Sequence, residues 1–241
     1  MNKSLRTKDL QASAETAEFD KLMYLISHDV RASTRALADI PLWIKEDLEL
    51  AEMKLPKDVA ESIELLIRHA KRLDQMMLDL LTYSRVGRAQ DVAIINPAAV
   101  ISKVVKPFVE QTGWKITCHL PDCSIKIGEQ DITTLFHSLI SNAIKHSDQA
   151  TGTLDISGGI RNDAITILFQ DDGPGIDDSF HKKIFEMMTT LRSRDAVEGS
   201  GLGLAIATKI CETYGGGISV ESSSTNRGSI FRVELPLITR T

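Results

Sequence analysis

The sequence AITILFQDDGPG at residues 164–175 places a predicted strand directly before a glycine-bearing turn. The first seven residues are rich in β-branched and aromatic side chains, which favours a strand. In the motif DDGPG at residues 171–175, Gly173 and Gly175 let the backbone approach a ligand closely. A carboxylate at the end of a strand can accept a hydrogen bond from a ring amino group, so Asp171 is a candidate binding residue. An ordinary turn is the alternative, because D-G and P-G are common turn dipeptides.

A second glycine motif, GSGLGL at residues 199–204, leads into a helix predicted over residues 202–214. A glycine loop at a helix N-terminus offers backbone N–H groups and the positive end of the helix dipole to phosphate. Gly199, Gly201 and Gly203 are therefore candidate phosphate contacts. The motif is not a Walker A loop, because no Gly-Lys-Ser/Thr follows, and it is not a Rossmann fingerprint, because no strand leads directly into it.

Three polar residues share one face of a helix predicted over residues 131–146. Asn142 lies three residues before Lys145 and four before His146, so the three side chains project from the same side. An amide oxygen suits Mg²⁺, and an ammonium group suits phosphate. This face therefore offers the kinds of group that bind a metal ion and a phosphate.

The sequence around these motifs predicts a mixed α/β domain. Asn96-Pro97 is typical of a helix N-cap followed by proline at the first helical position. Short β-branched runs predict strands at residues 114–120, 125–127, 153–160, 164–170, 218–221 and 229–235. Because strand runs adjoin one another, we expect an antiparallel-rich sheet with helices on one face.

The first third of the chain has a different pattern, with two long amphipathic helices. Apolar or small residues recur in steps of three and four along residues 19–48 and again along residues 59–80. Pro56 cannot occupy a helix interior, so the chain turns there and forms an antiparallel helical hairpin. The hairpin also carries apolar side chains off both stripes, namely Leu25, Trp43, Leu65, Ile67, Met76 and Leu81. Pairing two hairpins into a four-helix bundle would bury them, so we expect a homodimer; packing on the chain's own C-terminal domain is the alternative.

His28 is the candidate reactive residue of the hairpin. It is offset by roughly 200° from Ile26 and from Val30 around the helix, so it points away from the buried stripe. Asp29 can accept a proton from one imidazole nitrogen, which leaves the other nitrogen with a lone pair for nucleophilic attack. Arg31 adds positive charge that can attract a phosphate. Taken alone, these residues also fit an ordinary solvated helix face.

The division of the chain follows from the change in pattern. We assign residues 1–86 to the hairpin and residues 97–241 to the α/β domain. Residues 87–96 break the helical periodicity and include Gly87, so we interpret them as a linker.

The composition narrows the class of protein. The 241 residues include 28 basic and 33 acidic side chains, and the net charge of −5 argues against nucleic-acid binding. No run of 18 apolar residues occurs, so we expect no transmembrane segment, and the polar N-terminus is unlike a secretory signal. Three cysteines without metal-ligand spacing predict free thiols, which favours a cytoplasmic location.

Together the motifs resemble the catalytic core of two-component sensor histidine kinases. SHDVR at residues 27–31 resembles the phospho-acceptor H box of that family, and LISNAIKH at residues 139–146 resembles its N box. DDGPG resembles the first glycine box, IFE at residues 184–186 the F box, and GSGLGL the second glycine box. Each box alone is unspecific, but five in the family's order after a helical hairpin form a highly specific pattern.

The resemblance implies an α plus α/β fold. Helical hairpins would form a dimeric four-helix bundle, followed by an α/β-sandwich ATP-binding domain of the gyrase, heat-shock-protein and kinase superfamily, with a mixed, antiparallel-rich sheet. Asp171 would bind the adenine amino group, Asn142 would hold Mg²⁺, Lys145 would meet phosphate and His146 would border the nucleotide. The glycine boxes would supply the remaining contacts, from Gly173, Gly175, Gly199, Gly201 and Gly203.

The resemblance also implies an activity, with ATP and Mg²⁺ as cofactors. His28 would be phosphorylated from ATP, with Asp29 holding the imidazole tautomer and acting as base, and the phosphoryl group would pass to an aspartate on a response-regulator receiver domain. Residues 187–198 would form a mobile ATP lid that carries Arg192 and Arg194 towards the triphosphate. The signal would come from an upstream sensory domain outside this chain; a stand-alone kinase is the alternative.

The sequence departs from the family pattern at several positions. Ala32 stands where many members that also dephosphorylate their regulator carry threonine or asparagine, and its side chain cannot orient a water, so we expect weak phosphatase activity. Ser138 replaces the usual first asparagine of the N box, and Met188 replaces a second phenylalanine of the F box. Two other functions stay open: a histidine phosphotransferase with a degenerate ATP domain, and an ATP-binding regulator of the anti-sigma type whose hairpin is only a dimer handle.

Overall fold

The computed structural model describes residues 30, 32–88, 90–191, 199–222 and 227–238. The chain divides into two compact units, one up to Arg85 and the other from Val86 onward.

The first unit contains the two expected helices. Helix α1 covers residues 32–50, and helix α2 covers Lys57–Arg85. Pro56 immediately precedes α2, as expected for a residue that ends one helix and permits the next to begin. Few of the described side chains of this unit are buried, and large apolar ones stay exposed, including Leu37, Ile40, Trp43, Ile44, Leu65 and Leu66.

The second unit is built on a five-stranded sheet. Its strands are β2 (Lys115–His119), β4 (Thr153–Arg161), β5 (Ala164–Asp171), β6 (Gly217–Ser222) and β7 (Ser229–Pro236). The spatial order is β2-β4-β5-β7-β6, in which β2 and β4 are parallel and the other pairs are antiparallel. The prediction of a mixed, antiparallel-rich sheet is confirmed.

A second, two-stranded sheet corrects the interpretation of residues 87–96 as a linker. Strand β1 (Val92–Ile95) pairs antiparallel with β3 (Ile125–Gly128), from Val92 opposite Gly128 to Ile95 opposite Ile125. These residues therefore belong to the second unit. The sequence gives little sign of this, because β1 is short and its partner lies about thirty residues further along the chain.

Three helices accompany the large sheet: α3 (Pro97–Thr112), α4 (Glu129–His146) and α5 (Gly203–Thr213). The Asn96 side chain caps α3 by accepting from the Ala98 N–H at 2.8 Å, and Pro97 takes the first helical position, as predicted. Alternate residues of β5 are buried, and Phe169 among them meets Phe136 of α4 with ring centroids 5.9 Å apart. This packing puts the core on one face of the sheet and fixes α4 against the end of β5.

No helix within the described ranges is long and apolar enough to cross a membrane.

Candidate nucleotide-binding site

Asp171 lies at the end of β5, as the sequence predicts, and its carboxylate is held by two backbone amides. Oδ1 accepts hydrogen bonds from the Gly173 N–H at 2.9 Å and from the Ser229 N–H at 3.2 Å. Burial raises the pKa of the Asp171 carboxyl, while the two amide bonds act to lower it. The two amides orient the group through Oδ1, and the lone pairs of Oδ2 can accept from another donor.

The glycines around Asp171 are required by the close approach of two loops. A Cβ on Gly173 would lie 2.9 Å from Asp171 Oδ1, too close for an ordinary contact. Gly175 and Gly228 have φ angles of +81° and +86°, which favour glycine. A Cβ on Gly228 would also collide with the carbonyl oxygen of Asp171. The DDGPG turn therefore packs directly against the turn that precedes β7.

Residues of this second turn were missed in the sequence. Arg227 donates from Nε to the Asp172 carbonyl oxygen at 2.8 Å, and its Nη2 forms an ion pair with Asp148 at 2.6 Å. Together with Ser229, it joins the DDGPG turn to the residues that follow α4. No local pattern indicates this role, because Ser229 lies 58 positions after Asp171 and the two meet only through the pairing of β5 with β7.

The face of α4 predicted to bind metal and phosphate reaches this region. Asn142 and His146 are half-buried and Lys145 is exposed, at the C-terminal end of the helix. A Cβ on Gly173 would lie 4.0 Å from the Cα of Ser147, the residue after α4. The structure therefore brings the end of α4 and the DDGPG turn together, and the roles of the three side chains stay predictions.

The second glycine motif forms the start of α5. Ser200 is buried and its Oγ accepts from the Leu202 N–H at 3.1 Å, which shapes the turn into the helix. A Cβ on Gly203 would lie 4.0 Å from Ser138 of α4, so the two helices meet at the N-box region. Among the described residues, no atom lies within 4 Å of a Cβ built on Gly199, so these neighbours do not require a glycine there. A glycine that the described neighbours do not require is consistent with the close approach of a ligand to the backbone.

Both ends of the expected lid are joined by a backbone hydrogen bond. The Met188 N–H donates to the Gly201 carbonyl oxygen at 3.0 Å, and Gly201 has a φ of +74°. A Cβ on Gly201 would lie 3.0 Å from backbone atoms of Met188 and Thr189. Arg192 and Arg194 of the lid lie outside the described residues, so their approach to phosphate stays a prediction.

The predicted reactive residues of the hairpin, His28 and Asp29, also lie outside the described residues, as does Arg31. Their roles stay predictions from the sequence.

The donor set at the end of α4 fits a magnesium ion that is bound mainly through a nucleotide. Within the described ranges there is no group of three His, Cys, Asp or Glu residues that could hold a metal by itself. Mg²⁺ in phosphate-transfer sites keeps several waters and takes phosphate oxygens with one or two protein ligands. The half-buried Asn142 amide suits such a single protein ligand.

Comparison with known proteins agrees with this geometry. Residues 128–239 match the family described as histidine kinase-, DNA gyrase B- and HSP90-like ATPase. This part of the chain is an ATPase domain of that family. The ATPase domain includes α4, both glycine motifs and the turn before β7, so the predicted family relationship and the expected class of cofactor, ATP, are confirmed.

The relatives extend the similarity to the first unit. The chain is 31% identical over 221 residues to the signal transduction histidine-protein kinase BaeS of Escherichia coli, covering 88% of this chain and 45% of BaeS. It is 27% identical over 230 residues to the phytochrome-like protein Cph1 of Synechocystis, covering 92% of this chain and 29% of Cph1. The chain thus spans less than half the length of either curated relative.

A solved structure has the same fold across both units. The histidine kinase ThkA, in complex with the response regulator TrrA, superposes with a TM-score of 0.64 at 19% identity, covering 96% of this chain and 67% of that chain. The predicted class, helices followed by an α/β domain, is confirmed.

Proposed function

We propose that this chain is the core of an ATP-dependent protein histidine kinase that phosphorylates His28 and passes the phosphoryl group to a response-regulator aspartate. The proposal is supported by the ATPase domain at residues 128–239 and by the similarity of the whole chain to BaeS, a histidine kinase. ThkA was solved with a response regulator, which supports the same class of partner for this chain.

The observation that carries the proposal is the oriented carboxylate of Asp171. Two amides hold Oδ1, so Oδ2 is positioned to accept from the exocyclic amino group of adenine. A degenerate ATP domain, as in the phosphotransferase alternative, would have no need to keep a half-buried carboxylate that burial disfavours.

The phosphate end of the nucleotide would lie between α4 and the start of α5. Asn142 would hold Mg²⁺, which neutralises charge on the phosphates when it is bound. Lys145 would pair with a phosphate oxygen, and His146 would border the nucleotide. The backbone N–H groups of Gly199, Gly201 and Gly203 would donate to the phosphates at the positive end of the α5 dipole.

The transfer step forms a bond between Nε2 of His28 and the γ-phosphorus while the bond from that phosphorus to the bridging oxygen of ADP breaks. ADP leaves with the bridging oxygen. Asp29 accepts a hydrogen bond from Nδ1–H, so that Nε2 presents its lone pair, and it takes up the Nδ1 proton as positive charge develops on the ring. In the second step, a carboxylate oxygen of the regulator attacks the phosphorus and the phosphorus–nitrogen bond breaks.

The same proposal includes a homodimer and a division of the chain. The exposed apolar side chains of the hairpin, Trp43 at 59% exposure among them, support burial in a four-helix bundle made from two copies.

We propose the hairpin as the phosphotransfer domain and, since β1 belongs to the second unit, we place its boundary with the ATPase domain at Arg85. Cys118, Cys123 and Cys211 are free thiols, which supports a cytoplasmic setting.

The proposal is tested by incubating the protein with γ-labelled ATP and Mg²⁺. The wild type is expected to acquire an acid-labile, alkali-stable label that mass spectrometry locates on His28. His28→Gln should abolish the label. His69→Gln, which changes an exposed histidine on α2, is the matched control and should label normally.

Two results would contradict the proposal. If a folded wild type binds ATP but acquires label only from a phosphorylated donor protein, the chain is a phosphotransferase. If His28→Gln leaves both the label and the effect on a partner unchanged, the chain is an ATP-binding regulator of another class.

A further inference from the structure

A buried carboxylate fastens the beginning of the second unit to its two main helices. Asp131, in the first turn of α4, is only 6% exposed. Its Oδ2 accepts from the Gly87 N–H at 2.9 Å and from the Tyr214 hydroxyl at 2.6 Å. Tyr214 Oη in turn accepts from the Gly128 N–H at 3.2 Å. We name this arrangement of Gly87, Asp131 and Tyr214 the junction clamp.

The segment that the junction clamp holds has further contacts with the second unit. Gly87 has a φ of +76°, and a Cβ there would lie 2.5 Å from the methyl group of Thr213. Gln90 accepts from the Gln130 N–H through Oε1 at 2.6 Å, and β1 then pairs with β3. Gly87, Gln90 and β1 are thus attached to the ATPase domain at successive points, immediately after the boundary between the units.

The hydrogen bonds of the clamp are strong for physical reasons. An ionised carboxylate accepting from a hydroxyl in a water-poor site makes a bond about twice as strong as one between neutral groups. Burial, with a further contribution from Asp131, raises the pKa of Tyr214 to about 12. The hydroxyl therefore stays protonated throughout the physiological pH range and donates a hydrogen bond to Asp131.

The clamp lies far from the nucleotide site along both helices. Asp131 precedes Asn142 by eleven positions of α4, which is about 16 Å at 1.5 Å per residue. Tyr214 follows the eleven residues of α5, and Gly203 lies at the opposite end of that helix, again about 16 Å away. The clamp is therefore remote from the proposed nucleotide contacts at the C-terminal end of α4 and at the start of α5.

We propose that Asp131 and Tyr214 are positioning residues for phosphoryl transfer. By holding Gly87 against the ATPase domain, they limit the flexible connection between the two units to the residues before Gly87. This inference rests on the proposed function, since a kinase of this kind must bring a nucleotide held by one unit to a histidine on the other. The encounter is governed by an effective concentration that falls as the flexible connection lengthens. Loss of the clamp would release residues 87–89, which precede Gln90 and β1, and would add a flexible segment with a root-mean-square span of roughly 10 Å.

The test compares Tyr214→Phe, Asp131→Asn and Asp131→Ala with Asp91→Ala, which removes an exposed carboxylate from the same segment. Three quantities are measured: hydrogen exchange of residues 86–90, the dissociation constant for ATP, and the rate of His28 labelling at saturating ATP. In Tyr214→Phe and Asp131→Ala we expect exchange to rise roughly tenfold. The labelling rate should fall roughly three- to tenfold at an unchanged dissociation constant.

Asp131→Asn keeps an acceptor oxygen and should recover part of the protection and part of the rate, while Asp91→Ala should match the wild type. If Asp131→Ala does not fold, Tyr214→Phe still provides the comparison, because it removes a single oxygen atom.

Unchanged hydrogen exchange in Tyr214→Phe would overturn the inference, as would a labelling rate that falls only together with ATP affinity. Failure of the proposed function gives a different result, because a wild type that never labels His28 would still show the loss of protection in the variants.

Discussion

Asp171→Asn separates the role of the carboxylate in binding from its role in the fold. Asparagine keeps one acceptor oxygen, so the bonds from the Gly173 and Ser229 amides can be retained in the position of Oδ1. The other oxygen becomes an NH₂ group, which cannot accept a hydrogen bond from the adenine amino group. The NH₂ group of asparagine and the amino group of adenine are both donors, so they would face each other unfavourably. Nucleotide binding therefore loses one hydrogen bond to a charged acceptor.

The loss can be given a magnitude. A hydrogen bond to a charged group contributes about 1.5–3 kcal/mol, which corresponds to roughly 10- to 150-fold in the dissociation constant. The fold should not be weakened, because burial raises the pKa of Asp171 and ionisation of that carboxyl therefore costs folding free energy at neutral pH. The neutral amide removes this cost.

The assay is calorimetric titration with a non-hydrolysable ATP analogue, combined with thermal unfolding without nucleotide. Asp163→Asn is the matched control, since Asp163 is exposed in the turn before β5 and has a φ of +57° that asparagine tolerates. It lies about 25 Å from Asp171 along the strand. A folded Asp171→Asn protein that binds within twofold of the wild type would refute the assigned role of Asp171.

The same titration has an expected pH dependence. The pKa of Asp171 is raised above that of an ordinary carboxyl. The affinity of the wild type for the nucleotide should therefore fall at a higher pH than an ordinary carboxyl would require. Protonation reduces the acceptor strength of the group, so the affinity decreases on the acid side. Asp171→Asn should lose this component of the pH profile.

Other predictions concern stability, thiol reactivity and assembly. Gly228→Ala should lower the free energy of unfolding by roughly 2 kcal/mol or more, because a Cβ at a φ of +86° meets a carbonyl oxygen, whereas Gly199→Ala should change it by less than about 1 kcal/mol; denaturant titration decides. Burial raises the pKa of Cys211 to about 12, so iodoacetamide at pH 8 should modify the other two cysteines first and Cys211 only after unfolding, as peptide mass spectrometry would show. Trp43→Glu should shift the protein from dimer to monomer in sedimentation velocity, and an unchanged mass would count against the bundle.

Much of the second unit could be predicted because its elements have local signals. The helical spacing of α4 and the β-branched run of β5 correspond to a buried helix stripe and a strand with alternate residues buried. Asn96-Pro97 and the glycine motifs predicted where helices start, because caps and positive φ angles depend on a few adjacent residues.

The missed features depend on contacts between distant parts of the chain. Strand β1 exists because β3 pairs with it, and Ile94 stays 72% exposed, so no buried face marks the strand in the sequence. Arg227 and Ser229 join the site only when β7 lies beside β5. In the sequence, Asp131 resembles an ordinary acidic residue in the first turn of a helix. Its role depends on a contact with Tyr214, which lies 83 positions later in the chain.

The bond between Met188 and Gly201 has a consequence for how this chain can vary. Closing a loop between two joined residues has an entropic cost that grows slowly with loop length. Doubling the length of the segment raises this closure free energy by only about 0.6 kcal/mol. Insertions between these two positions would therefore leave the bond between Met188 and Gly201 in place. Natural or engineered changes in the length of this segment would thus leave the described residues at its two ends unchanged.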